Sequence, residues 1–443
     1  MSHSKPAKSP AIRFLFENSL FLIAGALAAL IWANVDHVSY HNFIHFDLAK
    51  MFVDAPADGA HDEHHDEHNH ASHDEEASPV DDHGHGEASA VAVPLLGKTP
   101  ITIHFLINDV LMALFFAIAA KEVWESMLPG GALSNPRRAA TPLLATLGGV
   151  LGPAGIYLSG AYLLGDWEEL SRGWAIPCAT DIAFSYLVAR VVFGVGHPAI
   201  AFLLLLAIAD DALGLMILAV AYPSKPIVPG WLGLMVAAVA FGFVLRKLKL
   251  QSFWWYLLIP GTLCWYAFFK AGLHPALGLV PIIPTMPNAH TDLGIFAREE
   301  LNRDDTLNAF EHWWKNPVEL ILGLFGLANA GVGFNETGNG TYLVLIGLLL
   351  GKPLGITLFT WISEKVFKLE VPAGMGYRHI ITLGMIAAIG FTVALFVSTA
   401  AFPAGKIQDS VKMGALMSLL AAVLSFVVAR LLGVKPGPVA KAS

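Results

Sequence analysis

Charged residues are what this chain has least of. Asp, Glu, Lys and Arg make up 14% of 443 residues, against 55% apolar and a mean hydropathy of +0.59. That scarcity excludes the two or three soluble domains that the length alone suggests, and places the chain among polytopic membrane proteins. Cysteine is nearly absent too. Cys178 and Cys264 both fall inside apolar runs, so no disulfide is expected and both read as small core residues. No basic tract suggests nucleic acid, and the net charge of -8 arises mostly in one loop. A cleavable secretion signal is not expected either: Met1 to Pro10 is polar, and Phe14 to Trp32 has the length and continuity of a first membrane span.

Length therefore counts spans, each needing about 20 mostly apolar residues to cross a hydrocarbon layer of about 30 Å. Twelve are expected, at 12–33, 101–127, 138–160, 174–190, 198–221, 227–246, 253–270, 273–287, 316–333, 340–363, 379–402 and 411–433. The even number puts both termini on one side. With the termini cytoplasmic, that side holds 19 of the 27 Lys and Arg residues and the other holds 7, with Lys352 inside a span. The excess sets the orientation, because cytoplasmic loops are the basic ones.

Between the first two spans, residues 54–95 form an insertion. Its segment His61 to Glu87 has eight histidines (His61, His64, His65, His68, His70, His73, His83 and His85), ten carboxylates and no Lys or Arg. Such polarity without periodicity cannot pack a core, so a disordered periplasmic excursion is expected. Imidazole and carboxylate at this density also suit a weak site for Zn, Ni or Cu. Both readings, solvated insertion and metal tract, stand on the sequence.

What remains is a short list of polar residues inside spans. The fifth, Leu203 to Leu215, carries adjacent carboxylates, Asp210 and Asp211. A charge at that depth costs about 2.5 to 3.5 kcal/mol on insertion scales, so it is rarely left without a partner or a water-filled path. Neighbours on a helix point about 100° apart, so the two need not do the same job. The fourth span holds Pro177, Thr180 and Asp181 close together, the tenth holds Gly351-Lys352-Pro353, and the eleventh holds Gly390 and Thr392. Spans three to five and ten to twelve are offset by seven, so the second set runs inverted relative to the first, and each has an interrupted middle helix. Paired interruptions in inverted halves point to a transport site near the midplane.

Oxygen ligands suit hard cations, Na⁺, Li⁺ or H⁺. A carboxylate that holds either a metal ion or a proton is an exchange device, because one excludes the other. Two interrupted helices crossing at mid-depth would leave two positive N-terminal and two negative C-terminal ends facing. Asp181 would neutralise the former and Lys352 the latter, which makes Asp181 a structural counter-charge rather than an ion ligand. A transporter of divalent transition metals, suggested by the His-rich loop, would need imidazole or thiol beside the mid-span carboxylates. An intramembrane aspartyl hydrolase would need carboxylates facing each other from different elements, whereas Asp210 and Asp211 diverge on one helix. No enzyme activity is expected.

The chain resembles the NhaA family of sodium/proton antiporters. The resemblance rests on Ile107-Asn108-Asp109-Val110-Leu111-Met112-Ala113-Leu114-Phe115-Phe116, Gly173 to Phe184, Ala207 to Gly214, Leu327-Ala328-Asn329-Ala330-Gly331-Val332, Gly347 to Gly355 and Gly390-Phe391-Thr392. It covers nearly the whole chain outside residues 1–12 and 54–95. It implies an all-α protein of the bacterial inner membrane, with twelve spans, inverted repeats, and broken, crossing fourth and eleventh helices. It also implies electrogenic exchange of two protons for one Na⁺ or Li⁺ in sodium and pH homeostasis, no cofactor, and a homodimer in the lipid bilayer. By the family's pattern Asp211 is the main ion-binding carboxylate, Asp210 the one that can pair with Lys352, and Thr180 and Asp181 lie at the crossing with Gly390 and Thr392. Of the family's pH-responsive cluster, Glu122, Glu311 and His312 match. Glu125, Ser126 and Lys315 depart from it, standing where arginine, glutamate and histidine are expected.

Overall fold

Glycine sets how the helices meet. The computed structural model describes residues 20–48, 100–288 and 305–435, and the insertion histidines His61 to His85 lie outside them. Helix α1 is Leu20–Val35, followed by the short α2, His37–Ile44. Next come α3 (Ile103–Met127) and α4 (Pro136–Leu164), then α5 (Trp167–Cys178) and α6 (Ile182–Phe193). Helices α7 (Pro198–Ala221) and α8 (Pro229–Lys247) lead to α9 over 253–271 and the short α10 (Pro275–Thr285). The chain ends with α11 (Thr306–Asn329), α12 (Asn339–Lys365), α13 (Tyr377–Ala387), α14 (Phe391–Ala401) and α15 (Lys406–Leu431). Among the described residues the regular structure is helical, and the extended pairing is an isolated bridge between Asp47 and Thr102. Six helices are long and apolar enough to cross a membrane, eight if α5–α6 and α13–α14, bent by 52° and 51°, count as one span each. Leu163, Val220 and Leu431, about four-fifths exposed, belong to an apolar outer surface that water would not tolerate over this extent.

Two G-x-x-x-G faces clamp α4 to α12. A Cβ added at Gly355 would lie 2.0 Å from the Gly148 carbonyl oxygen, and one at Gly152 2.3 Å from that of Gly351. Only hydrogen fits there, so the backbones touch, and van der Waals packing replaces the hydrophobic drive that lipid does not supply. The same device joins α1 to α11, where a Cβ at Gly25 would meet the Gly323 carbonyl oxygen at 2.0 Å.

The observed boundaries depart from the sequence expectation where local chemistry intervenes. The run expected at 273–287 forms short 3₁₀ turns, Pro275–Leu277 and Val280–Thr285, because Pro275, Pro281 and Pro284 withhold donors that a longer α-helix needs. Helix α11 begins ten residues before the expected 316, where the Asp305 carboxylate accepts from Asn308 N at 2.7 Å and caps it. Pro353 does not break α12. The helix widens into a π turn at Gly347–Gly351 and continues from Lys352, an irregularity that often marks functional positions.

At the N-terminus of α7, His197 Nδ1 accepts from Ala199 N at 3.1 Å, and its ring stacks on His379 with centroids 5.2 Å apart. That cap requires a neutral imidazole, and burial, with the His379 ring second, holds its pKa below the ordinary 6.5. The cap's contribution is therefore present above pH 6.5 and is lost as the pH falls through the lower folded-state value. A cap of this kind is worth about 1 kcal/mol. His197→Asn keeps an acceptor that does not titrate, so on going from pH 7.5 to 5.5 its thermal midpoint in detergent should drop roughly 2 °C less than the parent's. Parallel pH slopes would mean that the imidazole does not cap the helix.

Candidate functional site

Asp210 and Asp211 share α7 and face different surroundings. Asp210 is buried and accepts from Lys352 Nζ at 3.1 Å. Lys352, fully buried on α12, also donates to the Cys178 carbonyl oxygen at 2.5 Å, so its ammonium joins a carboxylate to the C-terminal end of α5. The glycine contact between α4 and α12 brings it there. Losing one member of such a pair costs about 3 to 5 kcal/mol, because the other is left as an uncompensated buried charge.

The interruptions are stitched to each other. Between Cys178 and Ile182 the chain is extended, and Asp181 N donates to the Ile389 carbonyl at 2.7 Å. Thr180 Oγ1 donates to the Ala387 carbonyl and Ser185 Oγ to that of Ile386, each at 3.1 Å. In return Asp181 Oδ2 accepts from Thr392 Oγ1 at 2.7 Å and, more weakly, from Thr392 N at 3.4 Å, while Oδ1 accepts from Phe184 N at 3.2 Å. One carboxylate thus caps the positive ends of both α6 and α14. Gly390 completes the crossing, since a Cβ there would come within 2.9 Å of the Ala179 carbonyl oxygen. Backbone groups freed by a helix break in a dry interior cost several kcal/mol each if unpaired, and these reciprocal bonds meet that need.

Asp211, half-buried, lines two spaces. One is a void of about 30 Å³ against Phe115 and Phe116, which Asp210 also lines. The other, about 200 Å³, is shared with Thr180, Asp181, Glu122 and Glu311 and runs out to the exposed Lys315. On the opposite side Phe116 and Phe396 meet edge to face at 4.8 Å. Phe396 in turn packs on His274 at 4.7 Å, and His274 lines a third cavity of about 420 Å³. A carboxylate reachable by water from one side, beside a second one held by an ammonium, can bind a cation or a proton and exchange them.

The structure therefore brings together Thr180, Asp181, Asp210, Asp211, Lys352, Gly390 and Thr392, with Glu122 and Glu311 along the same cavity. His312 is exposed and does not line it. Sequence reasoning missed Lys121, buried on α3 and ion-paired to both Glu125 and Glu311. The i,i+4 spacing of Lys121 and Glu125 was the available signal. It also missed the Cys178 carbonyl and Ser185, whose parts depend on backbone groups of other helices. Among the described residues no three His, Cys, Asp or Glu side chains are grouped to hold a metal ion.

The sequence pattern of the family described as Na+/H+ antiporter 1 matches residues 85–429. The Na(+)/H(+) antiporter NhaA of Jannaschia sp. (strain CCS1) is 48% identical over 438 residues, covering 94% of this chain and 97% of that one. Those of Geotalea uraniireducens (strain Rf4) and Desulfitobacterium hafniense (strain DSM 10664 / DCB-2) are 44% and 43% identical, each over 96% of this chain and 97% and 96% of their own. A family match over most of the chain, with relatives this similar along nearly their whole lengths, means that the chain belongs to the Na⁺/H⁺ antiporter 1 family.

Proposed function

We infer that this protein exchanges Na⁺ for H⁺ across a membrane and that Asp211 is the carboxylate at which the two compete. The observation that carries the residue assignment is the division between neighbours: Asp210 is tied to Lys352 at 3.1 Å, whereas Asp211 faces the cavity that leads out past Glu311 and Lys315. A Na⁺ entering by that cavity meets a carboxylate with oxygen donors close by, and a proton on the same carboxylate excludes it. No similarity favours the transport of divalent transition metals. Zn²⁺ should leave the fluorescence of a pH dye in everted vesicles unchanged where Na⁺ and Li⁺ dequench it.

The finer reading follows from counting. Each bent helix pair taken as one span, with α1, α9, α10 and α11, gives twelve spans, with both termini and the Glu311 cavity on the cytoplasmic side. The family resemblance supports a homodimer in the bacterial inner membrane, and the Glu311 cavity supports an inward-facing state with Phe116 and Phe396 closing the periplasmic path. Glu122 and Glu311 along that cavity, with His312 next to Glu311 in sequence, are the groups through which cytoplasmic pH would act, and Lys121 is the fixed cation that holds Glu311. Two proton-holding places, Asp211 and the Asp210–Lys352 pair, support a stoichiometry of two protons for one Na⁺ or Li⁺.

That stoichiometry moves one net charge per cycle, worth about 2.3 kcal/mol per 100 mV. Proteoliposomes on a solid-supported membrane should give a transient current whose sign reverses with the Na⁺ gradient. Proven exchange without current would replace the two-proton reading by an electroneutral one.

A further inference from the structure

The cavity beyond the Phe116–Phe396 contact holds one carboxylate that the exchange reading does not use. Asp109 stands on the π turn Leu106–Leu111, where the helix takes in an extra residue. Its neighbours are fixed: Asn108 and Asn329 exchange amide hydrogen bonds at 3.0 and 2.8 Å, and Trp265 Nε1 donates to the Asp109 carbonyl oxygen at 2.7 Å. The backbone is therefore held while the side chain points into a space of about 420 Å³. The titratable and charged groups lining that space are His104, Asp109, Arg172, Lys225 and His274.

The nearest of them to Asp109 is His274, with Nδ1 3.8 Å from Oδ1. Nδ1 already accepts from Ala276 N at 3.4 Å, so in the neutral ring it carries no proton. Asp109 Oδ1 therefore faces a nitrogen that offers it no donor, and a proton on the carboxylate itself, or a water donating to it, would satisfy it. The same place is poor for Na⁺, since its one carboxylate stands with the cations Arg172 and Lys225. On the inner side, Phe396 lies 4.7 Å from His274 and 4.8 Å from Phe116. Phe116 in turn lines the small void that holds Asp211. Two aromatic rings therefore separate Asp109 and His274 from the exchange carboxylate. Both Phe396 and Thr392, which bonds Asp181, belong to α14, so a shift of α14 at the crossing would also move the barrier.

We propose that Asp109, facing His274, is the proton-loading station on the periplasmic side of the exchange. A proton from the periplasm forms an O–H bond on the Asp109 carboxylate. When the Phe116–Phe396 contact opens, the proton passes through water to the Asp211 carboxylate, and Asp109 returns to its anion. Na⁺ leaves by the same opening without a ligand set to retain it. The proposal rests on the inward-facing exchange reading given above.

The test is ²²Na⁺ uptake into everted vesicles, whose lumen is the periplasmic face, at fixed external pH and a lumenal pH of about 6 or 8. A relay matters most where free protons are scarce. Asp109→Asn should be about tenfold slower than the parent at lumenal pH 8 and within about twofold at pH 6. Its KM for external Na⁺ should be unchanged, and Asp109→Glu should restore the rate. Equal slowing at both lumenal pH values would make Asp109 merely structural and overturn the proposal, as would no slowing at either. If, in a second series at fixed lumenal pH, the defect of Asp109→Asn followed external pH instead, the sidedness would be overturned. Parent vesicles without proton-driven uptake would remove the exchange reading and the proposal together.

Discussion

Asp211→Asn is expected to reduce Na⁺/H⁺ exchange to below detection while leaving the protein folded and inserted. The substitution keeps shape and an oxygen, so the amide can still ligate Na⁺, yet it has no titratable proton and cannot complete a cycle. Asp210 cannot stand in for it, because its carboxylate is held by Lys352 at 3.1 Å and does not line the cavity that leads out past Glu311. The fold should tolerate the change, since no interhelical bond at the crossing passes through Asp211. The bonds there run from Thr180, Asp181, Ser185 and Thr392. Dequenching of a pH dye in everted vesicles, read beside the gel-filtration profile of the purified variant, checks both halves. Retained Na⁺-driven proton movement would rule out Asp211 as the site of competition.

Gly355→Leu should abolish activity by another route. Its Cβ would sit 2.0 Å from the Gly148 carbonyl oxygen, so α4 and α12 must part by roughly 1.4 Å to reach the 3.4 Å at which ordinary contact begins. Backbone atoms on both sides leave no flexible side chain to yield. Overpacking of this sort costs about 1 to 3 kcal/mol. The shift also carries Lys352 out of hydrogen-bond range of Asp210 and the Cys178 carbonyl, stranding buried charges at a further 3 to 5 kcal/mol or so. The thermal midpoint should fall by about 10 °C or more, with exchange lost. Gly155→Leu is the matched control on α4, because nothing lies within 4 Å of a Cβ there. Similar midpoints for the two variants would show that the glycine contact does not position Lys352.

The all-helical membrane character, and which polar residues are buried where the helices cross, were legible in the sequence. Both follow from rules local to a segment: an apolar run long enough to span lipid must be helical, and a charge inside such a run is too costly to be idle. Those rules reached Asp181, Asp210, Asp211 and Lys352, the weak points at Pro177 and Gly390, and the distinct settings of adjacent carboxylates. They do not reach groups whose role depends on another helix. Sequence arithmetic paired Asp181 with positive helix ends, but tertiary structure decided that both ends, at Phe184 N and Thr392 N, meet on one carboxylate. It likewise decided that Lys352 answers the Cys178 carbonyl, a backbone oxygen that no residue-type pattern reports. The Lys121–Glu311 pair spans 190 residues, and the cavity at Asp109 is walled by residues from distant helices, so no local rule reports either. Local pattern fixes which groups must be buried. Only the meeting of glycine faces and helix ends in space fixes what each buried group touches, because hydrogen bonds and ion pairs act over about 3 Å whatever the separation along the chain.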